Sequence, residues 1–217
     1  MSRLPGVIAL ATSGVFFALF PILRPYSPET GLAGAETFAS TPWLIAHLAG
    51  MAGFVLLVAG VSALRGSLRV NHLITALGVA LVLPYFGAET FGLQALGVHG
   101  AQIGDPALID QIAEQTRYAP VPMVTFGLGL ALVAVSGVLI AVRQWRTPAR
   151  LPALLTGIGL VTYLPQFFLP GPGRIAHGVV LAAGLIWLAV ATERRDQVGR
   201  PAEVQVQSPT QPAPATH

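Results

Sequence analysis

The chain contains no cysteine and no lysine. Without thiols it can form no disulfide, thiolate nucleophile, c-type haem attachment or cysteine-ligated iron–sulfur cluster. Without an ε-amine it can form no retinal Schiff base and no pyridoxal phosphate linkage. Charge is scarce as well: 10% of the 217 residues are Asp, Glu, Lys or Arg, and 53% are hydrophobic. Soluble domains carry about a quarter charged residues, so this composition requires a bilayer around it. The length suits one compact helical bundle.

All 12 basic residues are arginines. They cluster at the ends of apolar runs, which membrane topology explains without invoking nucleic acid. A span needs about 20 apolar residues. Six windows are expected to cross: Leu4 to Leu23, Thr37 to Leu64, Val70 to Ala88 and onward past Glu89, Tyr118 to Val142, Leu151 to Gly173, and Ile175 to Thr192. The predicted fold class is therefore all-α, a polytopic bundle over residues 1–197 followed by a disordered cytoplasmic tail over 198–217, rich in Pro, Gln, Ala, Ser and Thr. The first window is too long for a cleaved signal, and Pro21-Ile22-Leu23-Arg24 is a poor cleavage site.

Nine arginines (3, 65, 69, 143, 146, 150, 194, 195 and 200) fall on one side of these spans; Arg24, Arg117 and Arg174 fall on the other. The positive-inside rule then predicts both termini in the cytoplasm of a plasma-membrane protein. In the longest outer loop, Asp105-Pro106 reads as the start of a short amphipathic helix with Leu108, Ile109 and Ile112 on its apolar face, lying over the outer end of the bundle. Trp43, Tyr26 and Trp145 read as interface anchors.

The third and fifth windows share a pattern. Thr75, Gly78, Leu83 and Pro84 recur at the same offsets as Thr156, Gly159, Leu164 and Pro165. Three helical hairpins in parallel repeat are predicted, and sites in such folds often sit where repeats meet.

Three ionisable residues interrupt the apolar runs: His47, Glu89 and His177. His47 lies 18 residues before Arg65, His177 lies 17 before Arg194 and Glu89 lies 20 after Arg69. On a helix these separations are roughly 27, 26 and 30 Å, so all three stand at one height on the outer side. An ionisable group in lipid is costly and should face the bundle interior with a partner. Tyr85, Tyr163, Gln166 and Arg174 are further polar candidates at that level. Two His and a carboxylate can bind zinc or iron. Two His on separate helices can hold a haem. A Glu–His pair can carry protons in a small transporter. No HExxH or similar spacing chooses among them. Binding of a small ligand, and an accessory subunit that only docks a membrane partner, complete the alternatives. His72 reads as interfacial; His99 lies in a loop and His217 in the tail.

Trp43-Leu-Ile-Ala-His47, a Glu ending the third helix, an acidic helical outer loop and a final Ala176-His177-Gly178 together resemble a group of six-helix membrane proteins of GC-rich bacteria, labelled as domains of unknown function. The resemblance covers residues 1 to about 195 and implies an integral membrane protein without implying an activity.

Overall fold

The computed structural model describes residues 4–64 and 69–198. The expected tail lies outside them, save Val198. Among the described residues nine α-helices follow in chain order: α1 (Leu4–Leu23), α2 (Gly31–Ala39), α3 (Thr41–Val61), α4 (Arg69–Gly87), α5 (Gln94–Ile103), α6 (Pro106–Tyr118), α7 (Pro120–Gln144), α8 (Arg150–Val161) and α9 (Gly171–Val198). A π-helical segment, Ala88–Leu93, joins α4 to α5, and a 3-10 turn, Pro165–Phe168, follows α8. There is no strand among the described residues.

Five helices are long and apolar enough to cross a membrane: α1, α3, the continuous run from Arg69 to Gly100, α7 and α9. This fits a multi-pass, membrane-embedded protein. The fifth expected window does not form one helix. Its apolar character continues to Gly173, but α8 ends at Val161 after 12 residues. Pro165 and Pro170 lack the N–H that a continuing helix would need. The second window is also divided. Ser40 breaks it, accepting a hydrogen bond from the Trp43 backbone N–H as the N-cap of α3, while Pro42 occupies the first turn. The residues ahead of that break wind into the separate helix α2.

Six helices form a closed ring. α1 packs on α3, α3 on α4, α4 on α7, α7 on α8, α8 on α9, and α9 back on α1. Small residues set the crossings, as expected where helices associate by close packing. A Cβ on Gly78 of α4 would stand 2.9 Å from the Gly129 carbonyl oxygen of α7. Gly137 of α7 and Gly157 of α8 meet in the same way. Gly159 of α8 abuts Leu181 of α9, and Gly60 of α3 abuts Leu10 of α1. Gly78 and Gly159, which match in the sequence pattern, thus each seat the next helix around the ring, α7 and α9. Polar ties also join ring helices: Ser13 Oγ donates to the Gly53 carbonyl at 2.8 Å, and the Thr75 and Ser136 hydroxyls lie 2.6 Å apart.

Towards one end, aromatic side chains fill the ring. Phe17, Phe54 and Tyr163 meet edge to face at centroid distances of 5.0 to 5.4 Å. Phe86 continues the stack from Phe54 to Phe126, and Phe126 continues it to Phe167.

Over that end sits a cap made of α2, α5, α6 and the π-helical segment. It has its own small core of Ala35, Phe38, Trp43, Leu93, Leu96, Ile109 and Ala113. Gly104, in the left-handed conformation at φ +63°, ends α5 and lets the chain turn into α6. Asp105 then caps α6, accepting from the backbone N–H groups of Ala107 and Leu108. The start of this helix is as predicted, but its inward face is not. Ile109, Ala113 and Arg117 point in, whereas Leu108 and Ile112 are exposed. The i, i+4, i+8 row packs on the cap, and the charged Arg117 belongs to it.

Candidate functional site

Trp43 and His47 lie one turn apart on α3, and both are fully buried. Trp43 is therefore a core residue rather than the expected interface anchor. Its indole Nε1–H donates to the Glu89 backbone carbonyl at 3.0 Å. The π-helical winding at Ala88–Leu93 belongs to this contact region, since Glu89 is its second residue. Such bulges occur often at functional sites.

His47 has an acceptor at each ring nitrogen. Nδ1 lies 2.8 Å from the Trp43 carbonyl oxygen, and Nε2 lies 2.9 Å from Glu89 Oε2. A carbonyl can only accept, so Nδ1 carries a proton. Nε2 then meets a carboxyl oxygen, and a second proton must lie between the two. His47 and Glu89 thus share one proton, and no lone pair of the imidazole faces open space.

Glu89 continues into an ionic chain. Its Oε1 is 2.9 Å from Arg117 Nε. That N–H is not directed at the oxygen, so the contact is an ion pair without a formed hydrogen bond. Arg117 Nη1 is 2.9 Å from Glu29 Oε2, and Glu29 Oε1 is 2.9 Å from Arg24 Nη2. Signs alternate along Arg24, Glu29, Arg117 and Glu89. The Arg24 guanidinium lies 4.9 Å from the Trp43 ring centre, and Arg117 rests against Phe38 at 4.8 Å and Trp43 at 5.5 Å. Burial alone would lower the pKa of Arg117; the carboxylates of Glu89 and Glu29 outweigh it and raise the pKa above the usual arginine value. The Gly31 backbone N–H, at φ +58°, donates to Asp110 Oδ1 at 2.6 Å and ties the start of α2 to α6.

This chain walls a cavity of about 760 Å³ beneath the cap. Phe20, Tyr85, Phe126 and Phe167 supply aromatic surface, while Arg24, Glu29, Glu89, Arg117 and Arg174 supply charge. Counting the proton they share, His47 and Glu89 are neutral as a pair, so three guanidinium groups face the single net negative charge of Glu29, which leaves two positive charges in excess. Arg174 is the unpaired cation. Its Nε and Nη2 donate to the carbonyls of Leu169 and Phe167, and among the described residues it has no carboxylate within 4.0 Å. Arg174 and Tyr85 both line the cavity, and among the described residues neither the Arg174 Nη1 nor the Tyr85 hydroxyl has a hydrogen-bond partner.

The sequence-predicted residues divide accordingly. His47 and Glu89 meet. Tyr85 and Arg174 join Glu89 around the cavity. His177 does not join them: its Nε2 contacts the Gly159 carbonyl at 2.9 Å and Thr162 Oγ1 at 3.1 Å, on α8. Tyr163 is buried in the aromatic fill with no acceptor for its hydroxyl, and Gln166 is buried in the 3-10 turn; neither lines the cavity. The expected cluster of His47, Glu89 and His177 as a metal centre is therefore not assembled. Among the described residues no group of three or more His, Asp or Glu is placed to hold a metal ion. Arg117 occupies the side of Glu89 that a third ligand would need. A haem held between the two imidazoles meets the same obstacle, since both nitrogens of His47 are engaged. Sequence reasoning missed Arg117, Arg24 and Glu29 as site residues. The available signal was the arginine count: the three that lie off the basic side all converge here.

No protein-family model matches this chain, and neither a curated protein nor a solved structure matches it.

Proposed function

We propose that the protein is a multi-pass membrane protein whose capped cavity binds a small anion carrying an apolar body. The surplus positive charge on an aromatic-floored cavity carries this reading. A guanidinium held by two carbonyls, with no counter-ion among the described residues, is poised to accept one from a ligand. The aromatic surface beneath it offers an apolar body a place to lie.

Purified protein in neutral detergent should melt at a higher temperature with added dioleoyl phosphatidylglycerol and be unaffected by dioleoyl phosphatidylcholine. Ligand binding to the native state raises apparent stability in this way. Arg174→Gln, which takes away the guanidinium that has no carboxylate beside it, should remove the shift. Equal shifts with both lipids, or none with any anion, would refute the reading.

The same reading takes six crossings and a cap facing outward, with α8 and its 3-10 turn serving as the fifth crossing. The nine-to-three distribution of arginines supports this orientation. The absence of native cysteine makes it easy to examine. A cysteine at exposed Gln111 should react with a membrane-impermeant maleimide in intact cells. One at exposed Pro148 should react only after permeabilisation; the reverse pattern would invert the topology.

A further inference from the structure

α8 is about 18 Å long at 1.5 Å per residue, well short of a hydrocarbon core of about 30 Å. It packs against the later half of α7, where Gly137 and Gly157 meet. Beyond Val161 the α8 side of the ring offers no further α-helix to the first turns of α7 among the described residues, while α4 still packs on their other flank. That stretch of the ring wall consists instead of Leu164, the 3-10 turn and Leu169 to Gly171.

The cavity reaches the outside at this place. Phe168 is 85% exposed and Met123 is 45% exposed, yet both line the cavity. Side chains that belong at once to the inner wall and the outer surface mark a break in the ring. Gly127 of α7 lies on the same rim, and a Cβ built there meets nothing within 4 Å. Every residue named on this rim is apolar. Of the charged groups, Arg24, Glu29, Glu89 and Arg117 are carried by other elements, the α1–α2 connection, the π-helical segment and α6, while Arg174 of α9 is held against the rim by the carbonyls of Phe167 and Leu169.

We infer that this break is a lateral portal, and that the ligand is an anionic membrane lipid which enters through it. The inference rests on the anion-binding reading above and adds the source of the ligand. The headgroup meets Arg174 and the donors around it, and the acyl chain leaves between α7 and the 3-10 turn into the bilayer. A cavity of about 760 Å³ holds a headgroup and the start of a chain, so the remainder must lie outside, which the portal permits. A water-soluble anion would gain from the charge but leave the apolar rim empty.

The test is native mass spectrometry of the full-length protein released from neutral detergent, with dioleoyl phosphatidylglycerol or sn-glycerol 3-phosphate added. Gly127→Leu places a side chain in the portal while leaving every charged group untouched. The expected result is retention of one phosphatidylglycerol by the natural protein, at least a tenfold weaker retention by Gly127→Leu, and no retention of glycerol phosphate by either. Equal retention of the lipid by both proteins would overturn the portal while leaving the anion site standing. Retention of glycerol phosphate as strong as that of the lipid would overturn the lipid assignment. No retention of either anion by the natural protein would overturn this inference and the reading beneath it. Circular dichroism melting checks the fold of the variant; should Gly127→Leu melt early, Met123→Trp on the same rim replaces it with the same expectations.

Discussion

Glu89→Ala is expected to lower stability by about 3–5 kcal/mol, the usual consequence of removing one member of a buried ionic group. The carboxylate stands between His47 and Arg117, and its removal leaves an imidazole and a guanidinium without their shared acceptor. His47 would lose its Nε2 partner inside a site that is fully buried. The loss should appear as earlier thermal unfolding in detergent, with the cap disordering first, because Glu89 joins α3 of the ring to α6 of the cap. Glu89→Gln keeps an oxygen acceptor and should cost less. Adding His47→Phe to Glu89→Ala should restore part of the loss, since an apolar ring in that place needs no partner. Non-additivity of this kind is the signature of groups in direct contact. A Glu89→Ala protein that melts with the natural one would show that the chain contributes nothing to holding cap and ring together.

The second large effect is expected at Gly129. A Cβ there would stand 2.8 Å from the Gly78 carbonyl oxygen and 2.8 Å from Val82 Cγ2. Backbone oxygen cannot step aside as a flexible side chain can. Gly129→Leu should therefore force α4 and α7 apart and cost at least the 1–3 kcal/mol typical of overpacking. Gly127, two residues away on the same helix, meets open space, so its replacement by leucine should leave the melting temperature nearly unchanged. Measuring both variants side by side separates helix contact from helix propensity, because the two substitutions are the same. Comparable losses at the two positions would contradict the crossing described for α4 and α7.

How far these features were legible in the sequence depended on how local their causes are. The end of α1 at Leu23 was legible because Arg24 closes an unbroken apolar run. The start of α6 was legible because Asp105-Pro106 carries its own capping chemistry. α2 was not, because its residues merge into the apolar window of α3 and only the Ser40 break divides them. α8 looked long enough to span because hydropathy does not register the proline that stops it. The meeting of His47 and Glu89 was foreseeable from the cost of leaving either alone in an apolar run. The expected height of His177 was no guide to its partners, since equal height on a ring says nothing about which direction a side chain faces. Arg117 and Glu29 could not be paired from sequence: 88 residues separate them, and only the folding of the cap over the ring brings them together.

The central claim is that a charge-excess cavity beneath the cap holds an anion, and emission from Trp43, whose ring contacts the cavity residues Arg24 and Arg117, reports on it most directly. Trp145 and Trp187 are exposed and can be replaced by phenylalanine, leaving Trp43, with Arg24 and Arg117 against its ring, as the sole tryptophan, excited selectively over tyrosine. Titration with dioleoyl phosphatidylglycerol in mixed micelles should give a saturating change at one lipid per chain. The same titration with dioleoyl phosphatidylcholine, or on Arg174→Gln, should give none. A change that grows without saturation and is the same for both lipids would contradict the account.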